Sequence, residues 1–170
     1  MRDRREDLIV GRWGARFLGR RFPCAIGVGG MTSAKREGDG ATPVGVHRLV
    51  DVMHRADRVP RPISRLPVRA IGGADIWSDD PRDPDYNHGL RARAHPFSHE
   101  RMRRGDGLYD IVVTTDWNWP KAAPGRGSAI FVHCWKRPRK PTAGCIAFRR
   151  SDLLWIITRW ERRSRLVVYE

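Results

Sequence analysis

Apolar residues in this chain fall in short runs, bounded by Gly, Pro and charged positions. Arg16-Phe17-Leu18 and Cys24-Ala25-Ile26-Gly27-Val28 are two of them, and each predicts a strand. Val44-Gly45-Val46-His47-Arg48-Leu49-Val50 alternates with period two, with Val44, Val46 and Val50 on one face and Arg48 interrupting it. The β-branched run from Leu108 to Thr115 predicts a central strand. Ala129 to Val132 predicts another, ending at His133, and Leu166-Val167-Val168-Tyr169 a last one. Gly29-Gly30 and Gly38-Asp39-Gly40 mark turns. Arg58 to Asp85, rich in Pro, Arg and Asp, reads as a long irregular excursion.

Only one segment has a helical period. Leu153, Ile156, Ile157 and Trp160 recur at i, i+3, i+4 and i+7, behind Ser151 as N-cap and Asp152 in the first turn. Many short strands and one helix predict a mainly β domain, a sandwich or open barrel with a helix packed on it. A length of 170 residues suits one domain, 1–170, in which residues 1–10 read as an N-terminal extension, disordered or strand-like.

Charge changes this picture more than composition does. Lys and Arg number 33 against 19 Asp and Glu, a formal net charge of +14. Such a field attracts polyanions such as nucleic acid, anionic lipid or acidic wall polymer, although a merely solvated basic surface is the plainer reading. No apolar stretch approaches the roughly 18 residues a membrane helix needs, so no transmembrane segment is expected. The charged N-terminus, Met1 to Asp7, is followed only by Leu8-Ile9-Val10, so no signal peptide is visible and a cytoplasmic location stays open.

Three cysteines cannot all pair, which leaves at least one free thiol. Cys24 and Cys134 read as buried thiols, or as a disulfide if the protein is exported. There is no Cys-x-x-Cys, and His95 and His99 stand in a polar, Pro-containing segment without companions, so no metal site is expected.

The most informative run is Ser128-Ala129-Ile130-Phe131-Val132-His133, followed by Pro141-Thr142-Ala143-Gly144-Cys145-Ile146-Ala147. A thiol becomes a good nucleophile when it loses its proton, and a nearby imidazole is the usual way to remove it. Glycine beside the thiol lets an acyl group approach the main chain, where the N–H groups of Gly144 and Cys145 would face a developing oxyanion. Cys145 is thus the candidate nucleophile and His133 the candidate base. The basic loop from Lys136 to Pro141 brings the two segments together.

These residues resemble the YkuD-type L,D-transpeptidase catalytic domain, in a short stand-alone branch. The resemblance runs through Lys35 to Gly45, Tyr86-Asn87, Leu108 to Val113, Gly127 to His133 and Thr142-Ala143-Gly144-Cys145. Two positions depart from the family pattern. Its second histidine is replaced by Ala143, and the Asn or Arg often found two residues after the cysteine is Ala147.

The resemblance implies a two-step acyl transfer through a Cys145 thioester on peptidoglycan stem peptides, to an amine acceptor. It implies no metal or organic cofactor, a carbapenem adduct at Cys145, a periplasmic or cell-envelope location, and no specific nucleic acid partner. A carboxypeptidase or amide hydrolase on the same dyad, and a non-catalytic basic module binding wall polymer or nucleic acid, are the alternatives. Thr142, Ala143, Trp135, Tyr86 and Asn87 are the candidate substrate contacts. Trp135 is the best platform among indoles, Trp77, Trp117 and Trp119 included, that otherwise suit core packing. Lys35 to Gly45 reads as structural, a local ion-paired turn leading into a strand.

Overall fold

The computed structural model describes residues 4–170 and contains sixteen short strands and one helix. In chain order they are β1 (Leu8–Gly11), β2 (Gly14–Phe17), β3 (Arg20–Phe22), β4 (Cys24–Ala25), β5 (Met31–Thr32), β6 (Thr42–Pro43), β7 (Gly45–His47) and β8 (Leu49–His54). There follow β9 (Val68–Ala70), β10 (Asp75–Ser78), β11 (Gly89–Arg91), β12 (His99–Arg101), β13 (Ile111–Thr115), β14 (Phe131–Cys134), β15 (Ile146–Phe148), α1 (Arg150–Thr158) and β16 (Leu166–Val168). The domain is mainly β, as the pattern predicts. The sheets stay open: one has the order β3-β2-β1-β16-β7, the other β4-β15-β14-β13-β8-β9, with smaller sheets β11-β10-β12 and β5-β6.

The two large sheets and α1 enclose one apolar core. Leu8, Val10 and Phe17 come from the five-stranded sheet, Ile111, Val113, Val132 and Phe148 from the six-stranded one, and Leu153, Ile156 and Ile157 from the helix. Each fully buried Leu, Ile or Phe there contributes about 1.5–3 kcal/mol relative to exposure. Because side chains alternate along a strand, the opposite face of the six-stranded sheet is built from the intervening residues. Met53, Val112, Phe131 and Cys145 join Ile71, Trp77, Met102 and Tyr109 in a second cluster.

Several local expectations need correction. The alternation from Val44 to Val50 is not one strand. It breaks at Arg48, where the chain leaves β7 in one sheet and enters β8 in the other, so the interrupted face marks a change of sheet. The segment from Arg58 to Asp85 is not wholly irregular. Val68–Ala70 pairs with β8, and Asp75–Ser78 is the central strand of the β11-β10-β12 sheet. Its Pro and Asp content hides strands short enough to be fixed by tertiary pairing rather than by pattern.

Ser151 is not the N-cap of α1. Arg149 occupies that position without a side-chain cap, and Ser151 lies inside the first turn. Trp160 lies beyond the helix but is still buried. The strand through His133 continues to Cys134. Leu8–Gly11, at the end of the N-terminal stretch, is a strand paired in parallel with β16. Residues 1–3 of that stretch lie outside the described residues. No helix among the described residues is long and apolar enough to cross a membrane.

Candidate active site

His133 is carried by β14 and, two residues on from Phe131, faces the second cluster rather than the main core. Tyr109 stands edge-on to it at 5.4 Å between ring centroids. Its Nδ1 lies 2.8 Å from the Cys134 carbonyl oxygen. A carbonyl only accepts, so Nδ1 carries the proton and Nε2 is the basic atom. Burial pulls the imidazole pKa down to about 4, against the hydrogen bond to Cys134. The ring is therefore neutral near pH 7.

Cys145 ends the loop that leads into β15, and neighbouring backbone holds that loop on two sides. Thr142 donates its N–H to Ile26 O at 3.0 Å and accepts from Val28 N–H at 2.8 Å. The Thr42 hydroxyl donates to Gly144 O at 2.9 Å and accepts from Gly27 N–H at 2.8 Å. Within the loop, Thr142 Oγ1 accepts the Gly144 N–H at 3.2 Å and donates to Cys145 O at 2.6 Å. Gly144 has φ +137°, and a Cβ there would lie 2.9 Å from Ala41 O. Glycine is thus required by the packing of the loop against Ala41, in addition to any role in admitting an acyl group.

The Cys145 thiol donates to Ala129 O at 3.1 Å and accepts the Phe131 N–H at 3.3 Å. Burial pushes its pKa up to about 12, with the Glu100 carboxylate adding to the effect. No hydrogen bond joins it to His133 among the described residues. The two side chains instead line the same cavity, of about 340 Å³. In the resting state this is a neutral thiol and a neutral imidazole. To serve as a nucleophile the thiol would have to turn from Ala129 O and lose its proton, a geometry that such sites often reach only with substrate bound.

The candidate contacts separate into two groups. Trp135, Thr142 and Ala143 line the cavity with Cys145 and His133. Tyr86 and Asn87 do not, and both are buried. The Tyr86 hydroxyl donates to the Glu37 carboxylate. Asn87 Oδ1 accepts from Trp77 Nε1 and from Ala129 N, each at 3.0 Å, while its Nδ2 donates to Trp117 O and Asn118 O. Asn87 thereby holds the residue whose carbonyl holds the thiol, so its place is behind the site. Lys35 is buried beside Asp39, its Nζ 2.5 Å from the carboxylate, inside the turn expected there.

Glu100, Arg104, Asp106 and Tyr109 also line the cavity, and sequence reasoning missed all four as site residues. Tyr109 donates its hydroxyl to the Glu100 carboxylate. The Arg104 guanidinium lies 5.0 Å from the centre of the Tyr109 ring and 2.7 Å from Asp106. Tyr109 belongs to a run that carries the family resemblance, which was the one available signal. The other three are charged residues in a charge-rich segment, where sequence offers nothing to single them out. Cys24 and Cys134 are free, buried thiols whose pKa values burial pushes up to about 12 and about 11. Both belong to the main core rather than the cavity.

The profile of the L,D-transpeptidase catalytic domain matches residues 12–168, almost the whole chain. No curated protein and no solved structure matches it. A profile of that reach, spanning both large sheets and the loop that carries Cys145, assigns the family: the chain belongs to the YkuD family of L,D-transpeptidase catalytic domains.

Proposed function

We propose that this protein is a cysteine-dependent L,D-transpeptidase of the cell envelope that acts on peptidoglycan stem peptides. The observation that carries the reading is that Cys145 and His133 open onto one cavity while His133 Nδ1 is committed to the Cys134 carbonyl. That hydrogen bond leaves Nε2 to take the thiol proton. Cys145 Sγ attacks the carbonyl carbon of the amide between an L-centre and a D-amino acid. His133 receives the thiol proton and passes it to the departing amine. A thioester remains on Cys145, and the free D-amino acid leaves. The amine of an acceptor then attacks the thioester, a new amide forms, and the thiol regains a proton.

Gly144 N–H is engaged by Thr142, so Cys145 N–H is the first donor to the oxyanion, with Gly144 contributing its missing side chain. Thr142, Ala143 and Trp135 form the substrate wall. The test is intact-mass analysis after incubation with a carbapenem, followed by peptide mapping. One adduct on Cys145 is expected, and exchange of a stem peptide's terminal D-amino acid for a labelled amine should depend on the same residue. Release of the D-amino acid without amine incorporation would assign a carboxypeptidase instead. An unmodified protein that still binds wall polymer would assign a non-catalytic module.

A further inference from the structure

The cavity of Cys145 carries charge of both signs. Its cations are Arg104, Lys136 and Lys140, and its anions are Glu100 and Asp106. Asp106 is fully engaged by the protein. Arg104 donates to it through Nε at 3.1 Å and Nη2 at 2.7 Å, and the Leu108 N–H donates at 3.3 Å. Lys136 and Lys140 stand exposed on the basic loop. Glu100 is different. It is half-buried on β12 and forms no ion pair among the described residues. One carboxylate oxygen accepts the Tyr109 hydroxyl, and the other accepts no hydrogen bond. Among the described residues only Asp79 has a sealed-off side-chain oxygen without a partner, so the second oxygen of Glu100 is open, on a residue that lines the cavity.

Strand register concentrates negative charge at this wall. Glu100 stands directly opposite Trp77 in the β10–β12 pair, and Asp79, two residues beyond Trp77, shares its face. Asp79 Oδ1 is the buried oxygen without a hydrogen-bond partner. Like charges on one face of a sheet are unfavourable, and a carboxylate in a half-buried wall is costly without a cation. Burial raises the Glu100 pKa, with Asp79 and Asp106 adding to it, against the Tyr109 hydrogen bond and the Arg104 charge. Glu100 in turn adds to the raised pKa of the Cys145 thiol, so it lies within electrostatic reach of that sulfur.

We infer that Glu100 is a specificity-determining residue that receives a primary ammonium group carried by the donor peptide. The ammonium donates to the open carboxylate oxygen, while Tyr109 keeps the other. The exposed lysines of the loop are screened by solvent and salt. The half-buried carboxylate is not, so it decides which charge the inner wall prefers. That the ammonium arrives on a peptide rests on the function proposed above. The preference for a cation rests on the unpaired carboxylate alone.

Peptide binding to the full chain carrying Cys145→Ala tests this without chemistry. Two N-acetylated dipeptides serve as probes, L-lysyl-D-alanine and L-norleucyl-D-alanine, which differ in the side-chain ammonium. By titration calorimetry the lysine peptide should bind about tenfold or more tightly. Adding Glu100→Gln, which keeps an oxygen for the Tyr109 hydroxyl, should bring the lysine peptide down to the level of the norleucine peptide. Equal affinities in the Cys145→Ala protein overturn the inference, whatever the second variant does. So does a lysine preference that survives Glu100→Gln, and so does failure of both peptides to bind. Carbapenem adduct formation at Cys145 in the wild type reads the catalytic proposal separately. An adduct without a lysine preference removes this inference and keeps the catalytic reading. A Glu100-dependent lysine preference without an adduct does the reverse.

Discussion

The two faces of the six-stranded sheet use the same strands for opposite purposes. Toward α1, Ile111, Val113, Val132 and Phe148 pack with aliphatic neighbours. Toward the cavity, Val112, Phe131 and Cys145 meet Trp77, Tyr109 and Met102, with His133 beside them. Cys134 and Cys145 show the contrast at one residue type. Both thiols are buried and free, and burial raises both pKa values, to about 11 and about 12. Desolvation therefore does not distinguish the two thiols. What sets Cys145 apart is a cavity in front of it, a basic nitrogen on the same cavity, and a loop whose backbone is fixed by Thr42 and Ile26.

The comparison breaks most visibly at the cysteines. Cys145→Ser should abolish carbapenem adducts and amine exchange, because a hydroxyl lacks the thiol's acidity. Cys24→Ser and Cys134→Ser should keep both activities, although each places a hydroxyl in the apolar core. An adduct mapped to Cys24 or Cys134 would reverse the assignment of the faces.

Next in size is the base. His133→Ala should slow acylation on the order of 10²–10⁴-fold. Part of the rate should return as pH rises toward the thiol's own raised pKa. A near-normal neutral rate, or a flat pH response, would remove His133 from the mechanism.

The helix face should respond in stability rather than chemistry. Ile156→Ala, in a fully buried position, should cost about 2–5 kcal/mol in a denaturant titration. Its acylation rate per folded molecule should stay near wild type. A proportionate loss of chemistry would show that the two faces are not separable.

Thr42→Val probes the link between loop and scaffold. It removes the hydroxyl that Gly144 O and Gly27 N–H share and leaves two buried backbone groups unsatisfied. A cost of about 1–3 kcal/mol is expected, with acylation slowed because the cysteine loop loses its anchor. An unaltered acylation rate in the folded variant would mean that Thr42 only stabilises.

The smallest effect is the pH dependence of stability. His133 is held neutral with a pKa of about 4, and burial lowers His47 as well, whereas the unfolded chain takes up these protons near 6.5. Between those values the unfolded state binds more protons. Stability should therefore be full above 6.5 and decline as pH falls toward 4. Glu100, with its pKa raised by burial, opposes this in part. His133→Gln should flatten the slope in that window, as measured by unfolding at stepped pH.

How far the site was legible follows from what each residue does. Cys145, His133, Gly144 and Thr142 lie in short runs with local consequences, an apolar strand and a glycine turn, and those runs carry the family resemblance. Trp135 is two residues from His133, so strand periodicity already places it near the cavity. Tyr86 and Asn87 lie in an equally recognisable pair, yet their polar atoms point into the protein, to Glu37, Trp77 and Ala129. A motif records that a residue is needed and does not say whether it faces substrate or scaffold.

From the amino-acid order alone came the class of fold, the one helix, the strand that leads to His133 and the candidate pairing of a thiol with an imidazole. These depend on periodicity and on residue type, which are local properties. The tertiary structure decided the rest. It turned the Val44–Val50 alternation into strands of two different sheets, and brought Ala41 and Thr42 against Gly144 across about a hundred residues of chain. It drew Glu100, Arg104 and Asp106 to the Cys145 cavity. Such placements are set by long-range pairing and by where buried polar groups find partners, and no window along the chain contains both halves of those contacts.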